Sequence, residues 1–206
     1  MTKKRRMVCG AGINDADYVV EQKYLVDGKR KTLWRCTIYR AWTKMLERCY
    51  NRAYQAKYPT YVGCSVAHEW LNFSAFRAWM VNQDHDGKHL DKDILLPGNK
   101  VYGPDTCVFV SAKLNTFMGD CGTSRGEWPI GVHFNGNKGK FVARCSNPFN
   151  ENSDFLGYFT CPNTAHEAWR EHKHELACKY ADQQTDLRIA SALRSRYIKK
   201  DNTLED

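Results

Sequence analysis

Leu90-Asp91-Lys92-Asp93 sets two carboxylates two residues apart around a lysine. In a regular strand that spacing puts both acids on one face. Two carboxylates on one face suit Mg²⁺ (or Mn²⁺), which keeps water and phosphate oxygens for most of its shell. Such an ion polarises a scissile phosphodiester and stabilises the leaving oxygen. The chemistry also needs a base to activate water, most often a histidine. His89 shares the face of Asp91 and is the preferred base; His85 is near it in sequence, and His68, beside Glu69, is more distant. Asn115, on a helix expected just downstream, is placed to orient the base or join the metal shell. The catalytic candidates are therefore His89, Asp91, Asp93 and Asn115, with Asp91 and Asp93 as metal ligands. The plainer reading of the two acids is a solvated hairpin in which they pair with Lys92 and Lys100.

These residues need a hairpin and a helix to hold them. His89 to Leu95 reads as a first strand, Pro97-Gly98-Asn99-Lys100 as a turn, and Cys107 to Val110 as a second strand. Ser111 is the expected N-cap of the helix that carries Asn115. Upstream, Ile38, Trp42, Met45, Leu46 and Cys49 form one apolar stripe, which predicts a helix over 38–51. Tyr61 to Val66 reads as a strand, and 72–83 as a second helix with Phe73, Phe76 and Met80 inward. Residues 1–33 are polar and turn-rich, with Tyr18-Val19-Val20 and Tyr24-Leu25-Val26 as candidate strands around Asp27-Gly28.

The run from Leu90 through Gly98-Asn99-Lys100, Tyr102, Pro104, Cys107-Val108-Phe109-Val110 and Asn115 resembles the HNH-like proteins of phages and prophages. Trp42-Thr43-Lys44-Met45-Leu46-Glu47-Arg48-Cys49-Tyr50 and Tyr61-Val62-Gly63-Cys64-Ser65-Val66 extend the resemblance over about residues 38–117. It implies a ββα-metal unit that cuts DNA. The chain departs from the pattern in two places: Asp91-Lys92-Asp93 stands where such nucleases carry a histidine, and Thr106 where they carry the central asparagine.

After Gly119–Gly126 the texture changes to three short apolar runs, at 130–134, 140–145 and 155–159, then a helix over 163–181 and a basic one over 183–198. Gly131-Val132, Lys140-Phe141-Val142-Ala143, Leu156-Gly157-Tyr158-Phe159 and Ala165-His166-Glu167-Ala168-Trp169 resemble the AP2-like DNA-binding domain, a three-stranded antiparallel sheet on one helix. That resemblance implies a sheet in the major groove, with Trp128, His133, Lys138, Lys140 and Arg144 as candidate DNA contacts. Arg194, in the basic last helix, is a further candidate. Strand alternation predicts that not all of these share one face.

Composition agrees with such a partner. Lys plus Arg outnumber Asp plus Glu by 31 to 23 in 206 residues, a net charge of +8 that favours binding to phosphates. The nine cysteines include no CxxC pair, so a disulfide framework is not expected, and a structural Zn²⁺ from Cys36, Cys49, Cys64 and Cys107 is the weaker alternative. No apolar run is long enough to span a membrane, and Lys3 to Arg6 lacks the apolar stretch of a signal peptide. The expectation is a cytoplasmic protein of a bacterial host cell that acts on double-stranded DNA and has no membrane partner. The expected fold is α+β: residues 1–37 a basic, turn-rich segment, 38–118 an HNH-like module, 119–126 a linker, 127–182 an AP2-like module and 183–206 a basic helix and tail. The expected function is a homing-endonuclease-like DNA endonuclease. The alternative is a catalytically inactive DNA-binding regulator, or a phage inhibitor of a host protein, on the same fold.

Overall fold

The computed structural model describes residues 7–119 and 126–198. Lys3 to Arg6, the body of the linker at 120–125, and Lys199 and Lys200 lie outside the described residues. The chain is mixed α+β with small sheets. It divides into two compact units, residues 1–111 and 112–206. The short helix that begins after Ser111 is thus part of the second unit.

In the first unit, Asp27 and Gly28 both take positive φ, 50° and 71°, as the tightest hairpin turn requires. They join β1 (Glu21–Val26) to β2 (Lys29–Arg35). The hairpin forms around the expected turn, but its strands are Glu21–Val26 and the cationic Lys29–Arg35, not Tyr18–Val20. The apolar stripe of α1 (Thr37–Tyr50) buries Trp42, Met45, Leu46 and Cys49. A short α2 (Arg52–Lys57) follows, which the apolar pattern did not predict because it buries no residue. Its N-cap, Asn51, accepts from the amide of Tyr54. Only Ser65–Val66 of the expected strand is extended; this is β3, and it follows a 3₁₀ turn at Pro59–Tyr61.

α3 (Phe73–Met80) buries Phe73, Phe76 and Met80. The expected strand at His89 to Leu95 is extended only over His89–Asp91, as β4. It pairs antiparallel with β6 (Val108–Val110), with Asp91 opposite Val108. Between them, β5 (Val101–Tyr102) leaves the hairpin and pairs parallel with β3. The core gathers from α1, β3, α3, β5 and β6 around Trp42 and Trp70. The Trp42 indole N–H donates to the Trp70 carbonyl at 2.7 Å, which satisfies a polar group where water is absent.

In the second unit, α4 (Ala112–Met118) precedes an antiparallel sheet of β7 (Val132–Asn135), β8 (Lys140–Ser146) and β9 (Ser153–Phe159), in the order β7-β8-β9. α5 (Pro162–Ala181) packs on the sheet and α6 (Leu187–Arg196) packs on α5. Gly131 has φ 81°, and a Cβ there would lie 2.0 Å from the Trp169 ring. Its missing side chain is what lets α5 approach the sheet.

Trp42→Phe removes the indole donor and leaves the Trp70 carbonyl buried without a partner. It is expected to cost about 2–3 kcal/mol, read as a lower urea midpoint. Trp34→Phe, on the exposed β1–β2 hairpin, is expected to stay within about 0.5 kcal/mol.

Candidate nucleic-acid interface

β8 is the middle strand of its sheet, so its alternation decides what each face carries. Ala143 and Cys145 are almost fully buried. Cys145 lies opposite Asp154, and the Asp154 carboxylate meets His172 of α5 at 2.8 Å, so this is the face that α5 covers. Lys140, Val142 and Arg144 alternate onto the outer face, where Lys140 and Arg144 are exposed and Val142 is buried. The pairing places His133 opposite Val142 and Asn135 opposite Lys140, which puts His133 on the outer face as well. Three of the expected contacts, His133, Lys140 and Arg144, therefore share one surface, and all three are exposed.

β9 completes that surface through a register shift. Ala143 faces Gly157, but Arg144 faces Phe155, which leaves Leu156 as the extra residue of a bulge. Gly157, with φ 133°, takes a backbone conformation that few other residues adopt. The shift brings Phe155 and Tyr158, three apart in sequence, onto one face with ring centroids 5.1 Å apart. The Arg144 guanidinium lies 5.5 Å from the Phe155 centroid, and the Lys138 ammonium 4.1 Å from that of Tyr158. Cation, ring, ring and cation thus form a continuous row, Lys138-Tyr158-Phe155-Arg144. Both rings are 40% or more exposed. The row offers ammonium and guanidinium groups to anions and two flat apolar faces to stacking groups.

Trp128 is not part of it. Its ring packs against Phe141 at 4.8 Å, and Phe141 alternates away from Lys140 and Val142. Arg194 lies on α6, where its guanidinium bonds the Asp182 carboxylate at 2.5 Å. Composition and pattern passed over Phe155 and Tyr158, because period two assigns them to opposite faces. The glycine inside an otherwise apolar strand was the available signal of a bulge.

In the first unit, the Asp91-Lys92-Asp93 run turns where a regular strand would continue. The Asp91 carboxylate accepts from the amides of Asp93 and Ile94 at 2.8 and 2.9 Å, which folds the chain back on itself. Lys92 is buried. Its ammonium bonds the Asp93 carboxylate at 2.8 Å and the Asn99 carbonyl at 2.7 Å. The Asn99 amide returns bonds to the carbonyls of Lys92 and Val101, at 2.6 and 2.7 Å. Thr106 donates its hydroxyl to the Val101 carbonyl at 2.9 Å. Burial, together with the neighbouring Asp93 carboxylate, raises the pKa of Asp91 above the ordinary range. Burial opposes the Lys92 charge, but its bond to Asp93 prevails and its pKa is raised.

Asp91 and Asp93 thus lie at a turn and not on one face of a regular strand. Lys92 joins them through its bond to Asp93. His89 is exposed at the start of β4, and Asn115 lies on α4 in the second unit. A pair of carboxylates meets the protein's share of a Mg²⁺ shell. A caged ion does not fit, because no three His, Cys, Asp or Glu gather as ligands among the described residues. Burial pushes the thiols of Cys49 and Cys107 up to about 12.

No protein-family model, curated protein or solved structure matches this chain. Among the described residues no helix is long and apolar enough to cross a membrane.

The Asp154–His172 contact supports the sheet from its covered side and gives a pH signature. The bond from His172, followed by those from Asn147 and Asn150, holds the Asp154 pKa below the ordinary carboxylate range. A lowered carboxylate pKa contributes stability that is present above the unfolded value of about 3.9 and is lost as pH falls through the folded value. Asp154→Asn is therefore expected to melt below the wild type at pH 7. The two melting curves should converge as the pH is lowered below about 4, followed by circular dichroism.

Proposed function

We propose that this is a DNA-binding protein that holds double-stranded DNA against the outer face of β7-β8-β9. The observation that carries the reading is the Lys138-Tyr158-Phe155-Arg144 row, flanked by His133 and Lys140 on the same face. The outward residues of β8 and β7 (Lys140, Arg144, His133 and Asn135) include no acid, so nothing on those strands repels phosphate. A chain of net charge +8 adds long-range attraction for a polyanion. A sheet backed by one helix is also the layout of the AP2-like domain that the sequence resembles.

Lys138→Ala/Arg144→Ala is expected to weaken binding to a labelled duplex at least tenfold by fluorescence anisotropy. The slope of log affinity against log salt should fall by about 0.9 for each phosphate no longer neutralised. Arg194→Ala, whose charge already meets Asp182, should change affinity less than threefold. A wild type that gives no salt-dependent shift of duplex DNA sinks the reading and favours a protein partner, such as a host enzyme under inhibition.

A second reading, a metal-dependent DNA endonuclease of the HNH class, is favoured by one observation: the Asp91 and Asp93 carboxylates meet at one turn. Mg²⁺ held there would polarise the scissile phosphate. Within this reading His89 would take the water proton, and Lys92 and Asn99 would keep the turn closed. Plasmid incubated with Mg²⁺ or Mn²⁺ separates the two readings. Nicking that Asp93→Ala abolishes supports the endonuclease, whereas duplex binding with no nicking by either protein leaves a binding protein that does not cut.

A further inference from the structure

The β1–β2 hairpin stands apart from the packing of the first unit. Its strands pair with each other and, among the described residues, with no other strand. Leu25 and Leu33 are each 68% exposed, and Tyr24 and Trp34 nearly half exposed. Near the tip, each cross-strand pair sets a cation against an apolar side chain: Tyr24 opposite Lys31, Leu25 opposite Arg30, and Val26 opposite Lys29. Neighbouring pairs alternate between the two faces, so both faces of the ribbon carry this mixture. At its base, Glu21 pairs with Arg35 and with Lys23. Among the described residues Lys29, Arg30 and Lys31 form no ion pair.

We infer that this ribbon is a second DNA-binding element, inserted into the major groove of duplex DNA. Two strands about 4.8 Å apart fit a groove about 12 Å wide and about 8.5 Å deep. The phosphates that rim the groove match Lys29, Arg30 and Lys31. Base edges and thymine methyls on its floor match Tyr24, Leu25 and Val26. A second copy of the chain would bring the same three cations against each other, and an apolar protein surface would strip them of water with no anion in return. The inference shares the DNA partner of the sheet reading but rests on different residues.

The test uses the full chain and a duplex of about 20 base pairs, long enough to span two helical turns. Lys29→Gln/Arg30→Gln/Lys31→Gln is expected to weaken the duplex Kd at least tenfold and to lower the salt slope by about 0.9 for each phosphate the ribbon no longer neutralises. Its melting temperature should not change, because these side chains are solvated. Lys29→Arg/Lys31→Arg, which keeps the charge, should retain wild-type affinity. If the Gln variant binds within threefold of wild type while Lys138→Ala/Arg144→Ala does not, the ribbon inference falls and the sheet reading stands. If wild type does not bind duplex DNA, both fall. A dimer by light scattering that the Gln variant breaks, with DNA affinity unchanged, makes the ribbon an interface between copies and overturns the inference.

Discussion

A pleated strand can show each side chain to only one face, and β8 bears that constraint with a neighbour on either side. It buries Ala143 and Cys145 under α5 and turns Lys140 and Arg144 outward. Most of the second unit follows from this division. α5 can close on the sheet because Gly131 leaves room for Trp169. His172 can reach Asp154 because Asp154 sits opposite a covered residue. β9 must then supply partners on both faces, and the bulge at Leu156 is what lets Phe155 and Tyr158 reach the outer one. A regular β9 would have placed one of these rings beneath the helix.

The first unit answers a different demand, a buried ammonium. Taking a lysine out of water is costly unless it is paired and hydrogen-bonded. Lys92 meets that condition with a carboxylate and a backbone carbonyl supplied by its own loop. Asn99 and Asp91 secure the same loop through backbone groups. The most chemically suggestive stretch of the sequence is thus also a structural clasp. Both roles use the same atoms: a carboxylate bonded to Lys92 is already half neutralised, which weakens its pull on a metal ion.

Two of the protein's sets of exposed cations differ in setting. On β8 and beside β9 they lie over aromatic rings in a fixed order; on the β1–β2 ribbon they alternate with apolar side chains on a thin projection. Rigid placement favours register on a duplex, whereas a projecting ribbon favours reach. Phosphate contacts supply affinity without sequence information. Selectivity for a target would have to come from the residues between the cations, the rings of the sheet and the apolar side chains of the ribbon.

Much of the element order was legible in the sequence. The apolar stripe of α1, the three strands and long helix of the second unit, and the Asp27-Gly28 turn follow from periodicity and local backbone preference. These are short-range properties, which the chain carries wherever it is read. Non-local pairing was not legible. The stop of β4 at Asp91 depends on two backbone amides that cap its carboxylate, and the departure of β5 depends on its pairing with the distant β3. The cationic strand Lys29–Arg35 was missed because its residues are those of a solvated loop until a partner strand orders them. The sequence by itself determined that the chain is basic, α+β, and carries two acids two residues apart. Only the tertiary structure decided that the chain turns at these acids with Lys92 bonded to Asp93, and that His133, Lys140, Arg144, Phe155 and Tyr158 share a surface, because register, bulges and hydrogen bonds set which face a side chain takes.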